Sequence, residues 1–371
     1  MLQSVRPAAV EDRDGWLASA RQWAASHVDT VDWKDAGAVG ITSLPVPAGD
    51  GGAGAGYRTT CRALDAVADA CGHGGFWFGV AAQLWSCQEP LVRFGTPEQK
   101  SRHLPGLMAG SHVGAHAVTE PDAGSDVLSM AATARDEDGR WHVSGTKTFV
   151  TNGQRADVFV ALARTGRGTT IGAFTAFVVP REAAGVRVTP LRPAGLDDWD
   201  LGTVEFDDVV VDHDAVLGEV GGGYAILSHV MRVERALIMA PAVGIMRRSL
   251  RRAIAYLRAR TQFGRPLVEH EPVRQRLVEA HLAVQTAADL VDRSAELADR
   301  NELSHSRAST TKLAVSRAYA DLADNLAAVY GGYALFADSG IPALRAQALA
   351  SRSYSGTSEM QSTIIAKELL T

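Results

Sequence analysis

One carboxylate in this chain is placed for proton chemistry. Glu234 follows Leu227 by seven residues and Met231 by three, and Ile238 comes four later. That spacing sets it in the apolar stripe of a helix. Burial disfavours the charged form, so a raised pKa and a stronger base than a solvated glutamate are expected. The plainer reading of a helical Glu is a surface partner at i,i+4. Val118-Thr-Glu-Pro-Asp-Ala-Gly-Ser-Asp126 points to ligand binding. Its small residues let backbone approach a planar ligand, and Thr119 and Ser125 can hydrogen-bond to polar edges or a phosphate. Four more segments stand out: Gly145-Thr-Lys-Thr-Phe-Val-Thr-Asn-Gly153, Arg260-Thr-Gln-Phe-Gly-Arg-Pro-Leu267, Tyr330-Gly-Gly-Tyr333 and Tyr354-Ser-Gly-Thr-Ser-Glu-Met360. Taken singly, each has an ordinary reading. Phe149 and Val150 suit strand core, Gly331-Gly332 a helix end, and Arg260 a solvated helix charge.

These groups need a scaffold, and the hydrophobic pattern predicts one in three parts. From Glu11 to about Gly110 the period is helical, with Trp16, Ala20 and Trp23, then Leu64, Val67 and Cys71, three or four apart. Pro45, Pro47 and the glycines from Gly49 to Gly56 interrupt it with a loop. After Ser111 come short segments rich in Val, Phe, Thr and Trp: Trp141–Val143, Asp157–Ala163, Ala173–Val179, Val186–Val188 and Thr203–Val211. These predict strands, with a hairpin turn at the Asp-Gly of Asp136–Arg140. From Gly221 the helical period returns, as in Leu277, Ala280 and Val284, and predicts a bundle. The expected class is α+β, with units at 1–114, 115–220 and 221–371.

Composition excludes several classes of function. With 46% hydrophobic and 21% charged residues, the chain reads as an ordinary folded protein rather than a disordered or fibrous one. Its formal charge is -5 and its basic residues are scattered, so nucleic acid is not an expected partner. Cys61, Cys71 and Cys87 form no Cys-x-x-Cys pair, and His73 alone completes no metal site. No metal and a reducing compartment are expected. Met1 to Asp14 lacks the apolar run of a signal peptide, and no stretch offers the ~18 apolar residues of a membrane span. A cytoplasmic location is therefore expected.

In this order and at these separations, preceded by Phe94-Gly-Thr-Pro-Glu-Gln-Lys100 and Leu104-Pro105, the five segments resemble the acyl-CoA dehydrogenase family. The resemblance covers nearly the whole chain. It implies an N-terminal helical domain, a middle β-barrel or sheet domain and a C-terminal four-helix bundle. It also implies non-covalent FAD, an acyl thioester on coenzyme A or a carrier protein, an electron-transferring flavoprotein as acceptor, and a homotetramer or homodimer. By this resemblance Val118, Thr119, Gly124 and Ser125 meet the flavin, and Phe149, Val150 and Thr151 lie behind its ring. Arg260, Phe263, Gly331, Gly332, Thr357 and Ser358 take the rest of the FAD, some across a subunit interface. A guanidinium can neutralise a pyrophosphate, and paired glycines let amides approach it.

The family reaction needs a carboxylate to take the α proton while the β hydrogen leaves as hydride. Many members carry that glutamate where this chain has Ser355, which is no strong base at neutral pH. The chain is more similar to the isovaleryl and long-chain group, whose base stands in a Glu-Arg pair, here Glu234-Arg235. Ser125, Arg235 and Gly356 are then expected at the substrate, and the Ser355 amide at the thioester carbonyl. Glu271 and Ala328 replace residues that are often Gln, and Leu344-Arg345-Ala346-Gln347-Ala348 lacks the usual Arg-Asp pair. Two other readings stay open. A flavin monooxygenase or oxidase, acting on amines or nitroalkanes, fits the loss at Ser355, and a flavin-free binding protein fits Glu271 and Ala328.

Overall fold

The structure is a computed structural model that describes residues 13–28, 30–168 and 170–371. Met1–Asp12, read above for a leader, lies outside the described residues. Six helices open the chain: α1 (Arg13–Ala25), α2 (Trp33–Ala38), α3 (Gly56–Cys71), α4 (Gly74–Gln83), α5 (Glu89–Phe94) and α6 (Pro97–Ala109). Between α4 and α5 the backbone widens into a π-helical turn, Leu84–Gln88. Such turns concentrate at functional sites because they re-aim side chains.

Eight strands follow: β1 (Gly114–Ala117), β2 (Thr133–Glu137), β3 (Arg140–Thr151), β4 (Val158–Arg164), β5 (Phe174–Pro180), β6 (Val186–Leu191), β7 (Leu201–Asp212) and β8 (Val216–Leu217). They form one sheet in the order β6-β7-β3-β2-β4-β5-β8, with β1 parallel to β4. The expected hairpin joins β2 and β3, where Asp138 and Gly139 take the positive φ values such a turn requires. The β4 and β5 segments read as continuous apolar runs because both faces of the sheet are covered. Val158, Val160 and Leu162 face a core shared with Leu91, Leu104, Ile226 and Val230, whereas Phe159, Ala161 and Ala163 join Trp141, Phe177 and Phe206 on the other side.

Helices α7 (Gly223–Leu237), α8 (Ala240–Ala259), α9 (Glu271–Asp299) and α10 (His305–Tyr330) pack as four neighbours, followed by α11 (Ile341–Ala350) and α12 (Ser358–Leu369). A small hairpin, β9 (Thr261–Gln262) and β10 (Arg265–Pro266), joins α8 to α9. The bundle shares its core with the opening helices, since Leu64 and Val67 lie in one apolar cluster with Val243, Val284 and Leu322. No helix among the described residues is long and apolar enough to cross a membrane.

An ionic latch also joins α3 to α9. Arg58 Nη2 lies 2.6 Å from Asp292 Oδ2, and Arg62 Nε lies 2.8 Å from Oδ1. The Arg58 hydrogen bond, with Arg62 behind it, holds the Asp292 carboxyl down at about 2. A depressed carboxylate stabilises the fold above its ordinary pKa, and that contribution is lost as pH falls through the depressed value. Asp292→Asn is therefore expected to lower the unfolding midpoint at pH 7 and to lower it much less at pH 2. Thermal unfolding across that range checks it, and a uniform loss at both pH values contradicts it.

Candidate active site

Glu234 lies in the last turn of α7 and is buried, at 8% exposure. Two hydroxyls grip its carboxylate. Ser86 Oγ donates to Oε2 at 2.5 Å, and Ser355 Oγ donates to Oε1 at 2.5 Å. Ser86 comes from the π-helical turn, whose extra residue aims it at α7. Ser355 has φ of 54° and Gly356 has φ of 91°, two consecutive left-handed residues that turn the chain into α12. A side chain at Gly356 would be strained, and its Cβ would also stand 2.9 Å from Gln361 Nε2.

Two neighbours hold that turn with three hydrogen bonds. Gln361 Nε2 donates to the carbonyls of Ser355 at 3.1 Å and Gly356 at 2.9 Å, and Arg235 Nε donates to Ser355 O at 3.3 Å. Thr357 Oγ1 caps α12 by accepting from the Met360 amide, and Ser358 N donates to Arg352 O at 3.0 Å. Among the described residues, the amides of Ser355, Gly356 and Thr357 meet no acceptor. They stand free for an oxyanion near the carboxylate. Burial pushes the Glu234 pKa up; the Ser355 and Ser86 hydroxyls, then Arg235 and Lys312, pull it back. Ser86→Ala is expected to raise it further, moving the acid limb of any Glu234-dependent rate up by about 1 pH unit. An unmoved limb in the pH profile contradicts this.

The β unit supplies the second part. Lys147, 1% exposed, places Nζ 2.7 Å from Glu120 Oε1 and donates to Val118 O at 3.1 Å. Glu120 also accepts from the amides of Ala131 and Ala132. This buried pair fixes Val118–Asp126 against β3, as does Thr148 N donating to Thr119 O at 2.8 Å. Among the described residues, the side chains of Thr119 and Ser125 find no hydrogen-bond partner, and Gly124 and Ser125 are exposed. A bulge between Lys147 and Val150 then throws Phe149 outward: its φ is 54° and it is 68% exposed, while Val150 is buried and Thr151 half-buried. A large aromatic held out of its core on a left-handed backbone is surface awaiting a cover.

These two parts are neighbours. Asn152, next to Thr151, donates to Gly79 O at 2.9 Å. Adjacent Phe78 packs against Trp199 and Tyr354 at centroid distances of 4.3 and 4.5 Å, and Tyr354 precedes Ser355. The exposed Phe149 platform, the free hydroxyls and the gripped carboxylate thus suit a flat, polar-edged cofactor such as FAD lying between them.

The remaining candidates gather at another end of the bundle. The Tyr256 and Tyr330 rings stack at 4.6 Å, bringing the C-termini of α8 and α10 together and with them Arg260, Gly331 and Gly332. Phe263, at φ of 51°, is 95% exposed on the β9–β10 turn. A Cβ on Gly332 would meet nothing within 4 Å, so its own chain does not demand a glycine there. Among the described residues, no hydrogen bond, ion pair or ring contact ties this group to Glu234 or Phe149. Glu271 and Ala328 are both exposed, and Gln347, where the usual Asp is missing, accepts from Tyr319 OH at 2.9 Å.

Sequence reasoning missed Ser86, Gln361, Lys312 and the Glu120–Lys147 pair. Ser86 and Lys312 lie far along the chain from the residues they hold, while Gln361, five and six residues from the carbonyls it holds, reaches them only through the left-handed turn. The pair was quoted inside two motifs without being joined.

Comparison with known proteins agrees with this geometry. Three family descriptions match in chain order: acyl-CoA dehydrogenase N-terminal domain over residues 6–111, middle domain over 115–209 and C-terminal domain over 221–370. The chain is 34% identical to an L-prolyl-[peptidyl-carrier protein] dehydrogenase of Pseudomonas fluorescens, over 91% of this chain and 89% of that one. It is similar to the crystal structure of the prolyl acyl carrier protein oxidase AnaB, with TM-score 0.92, 30% identity, and 98% and 100% of the two chains covered. It also resembles the FAD complex of PigA, with TM-score 0.91, 28% identity and 98% of each chain covered. The chain belongs to the acyl-CoA dehydrogenase family of FAD-dependent oxidoreductases that act on CH–CH groups.

Proposed function

We propose that this protein desaturates an acyl thioester between its α and β carbons, with Glu234 as the base that takes the α proton. The carrying observation is the buried carboxylate gripped by Ser86 and Ser355 at 2.5 Å each. Two hydroxyl donors keep the carboxylate in one rotamer, and burial strengthens it as a base. The free amides of Ser355 and Gly356 polarise the thioester carbonyl, which acidifies the α hydrogen. FAD, when bound, supplies the acceptor for the departing hydride. Val118, Thr119, Gly124, Ser125, Phe149, Val150 and Thr151 would hold its ring system, and Arg260, Phe263, Gly331, Gly332, Thr357 and Ser358 the remainder.

Ser125 and Arg235 are the further substrate contacts in this reading. His229, Arg232 and Arg235 lie on α7, and burial together with the charges of Arg235, Arg232 and His229 pushes the His305 pKa down. Such a cationic rim suits the phosphate of phosphopantetheine, which coenzyme A and a carrier protein share. The likeness to L-prolyl carrier-protein enzymes favours the carrier-bound thioester. A cytoplasmic homodimer or homotetramer, built over the exposed Phe263, Leu335 and Phe336, completes the reading. Electrons pass to an electron-transferring flavoprotein, with dioxygen the alternative raised by the oxidase name of AnaB.

Anaerobic mixing of the FAD-loaded protein with a panel of acyl and aminoacyl thioesters, prolyl included, tests this. Flavin bleaching by a thioester, faster on carrier protein than on free coenzyme A, is expected. Bleaching only by free amines or nitroalkanes contradicts it.

A further inference from the structure

We propose that Lys312 is a positioning residue for proton transfer: its buried ammonium carries the Tyr354–Ser355 turn and adds to the charge that favours ionised Glu234. This rests on Glu234 as the base. Lys312 is 1% exposed in the middle of α10, and among the described residues no carboxylate stands within ion-pair distance of it. A buried charge without a carboxylate partner is costly, so its retention calls for a purpose.

Its contacts converge on one segment. Nζ donates to Ser351 O and reaches Ser316 Oγ at 3.4 Å, while Ser316 Oγ donates to the same carbonyl at 2.8 Å. Nζ also lies 4.6 Å from the Tyr354 ring centroid. The next residue is Ser355, whose hydroxyl grips Glu234. Lys312 therefore supports, from beneath, the turn that completes the carboxylate's grip.

Charge provides the second half. The groups acting on Glu234 are Ser86 from the π-helical turn, Ser355 and Tyr354 from the segment before α12, Arg235 from its own helix, and Lys312 from α10. Only Arg235 and Lys312 are cations. Arg235 has the larger effect, and Lys312 adds to it through a dry core. Burial holds Lys312 down at about 7, with Glu234 pulling up and Arg235 pushing down. Lys312 and Glu234 thus each favour the charged form of the other.

Two readouts test this in the FAD-loaded protein across pH. One is the carboxyl infrared band that is absent from Glu234→Gln, followed without substrate. The other is the acid limb of thioester-dependent bleaching. Lys312→Met and Lys312→Gln are expected to raise both midpoints by about 1 pH unit or more, with Lys312→Arg returning them toward wild type. Bleaching at neutral pH falls about 10-fold in the neutral variants, with FAD content kept. Gln can still donate to Ser351 O, so a wild-type midpoint in Lys312→Gln assigns the effect to the hydrogen bond alone and overturns the proposal. Unmoved midpoints in the Met variant overturn it too, and if that variant does not fold, the Gln variant decides. A wild type that no thioester bleaches overturns the proposed function and this role together. The infrared band tells that failure from an uncoupled Lys312.

Discussion

Glu234→Gln is expected to slow thioester-dependent bleaching by about 100- to 10,000-fold, the range over which a positioned general base contributes. The amide keeps the shape of the carboxylate, its oxygen accepting from one serine hydroxyl and its nitrogen donating to the other, so FAD content and substrate affinity should stay near wild type. Removing a buried charge costs the fold little, because the neutral side chain needs no compensating cation. The loss should therefore appear in kcat more than in KM. Stopped-flow bleaching beside a substrate titration measures both. A variant that bleaches at the wild-type rate moves the base elsewhere, and one that merely binds poorly makes Glu234 a binding residue.

The second large effect is structural. Lys147→Met removes the only cation paired with buried Glu120 among the described residues. Breaking one side of a buried pair costs about 3–5 kcal/mol, because the remaining charge is stranded. Burial pushes the Lys147 pKa down while Glu120 opposes it; for Glu120, burial pushes up and is overcome by Lys147 and the Ala131 and Ala132 amides. The net shift thus favours the charged form of Glu120, while Lys147 depends on Glu120 to oppose its burial. The variant should also lose FAD, since Val118 O loses its Nζ donor and Val118–Asp126 loosens from β3. Adding Glu120→Gln should recover part of the stability, because the stranded charge goes with it. Denaturant midpoints and flavin absorbance per protein measure this, and a single variant with full FAD and an unchanged midpoint contradicts it.

The pattern of apolar residues made the three-part fold legible before any coordinates. Period-3.6 spacing placed Leu64, Val67 and Cys71 in a buried helix face, and β4 and β5 fell within one residue of their expected ranges. Strands β1, β2 and β8 were not read. Gly-Ala-His-Ala in β1 has little β propensity, and β8 is two residues long. Only Trp141–Val143 of β3 was expected, because Gly145 and the Phe149 bulge break the alternation that marks a strand.

The site divides in the same way. Glu234 was legible because Leu227, Met231 and Ile238 lie along one face of α7 and its C-terminal cap. Its partners were not, since Ser86 is 148 residues away and owes its aim to a π-helical turn that no periodicity signals. Lys312 resembled a solvated helix charge, and only packing shows it beneath Tyr354. Arg235 was expected at the substrate, and its guanidinium also holds the Ser355 carbonyl, a contact that depends on the left-handed turn.

Removal of the α hydrogen by Glu234 can be observed apart from any electron acceptor. The saturated thioester is incubated in deuterated water with the reduced flavoprotein, and exchange at the carbon beside the carbonyl is followed by proton NMR. Wild type should wash deuterium into that position, and Glu234→Gln should do so at least 100-fold more slowly, by about the factor a general base supplies. Wild-type exchange in Glu234→Gln would show that another group takes the proton.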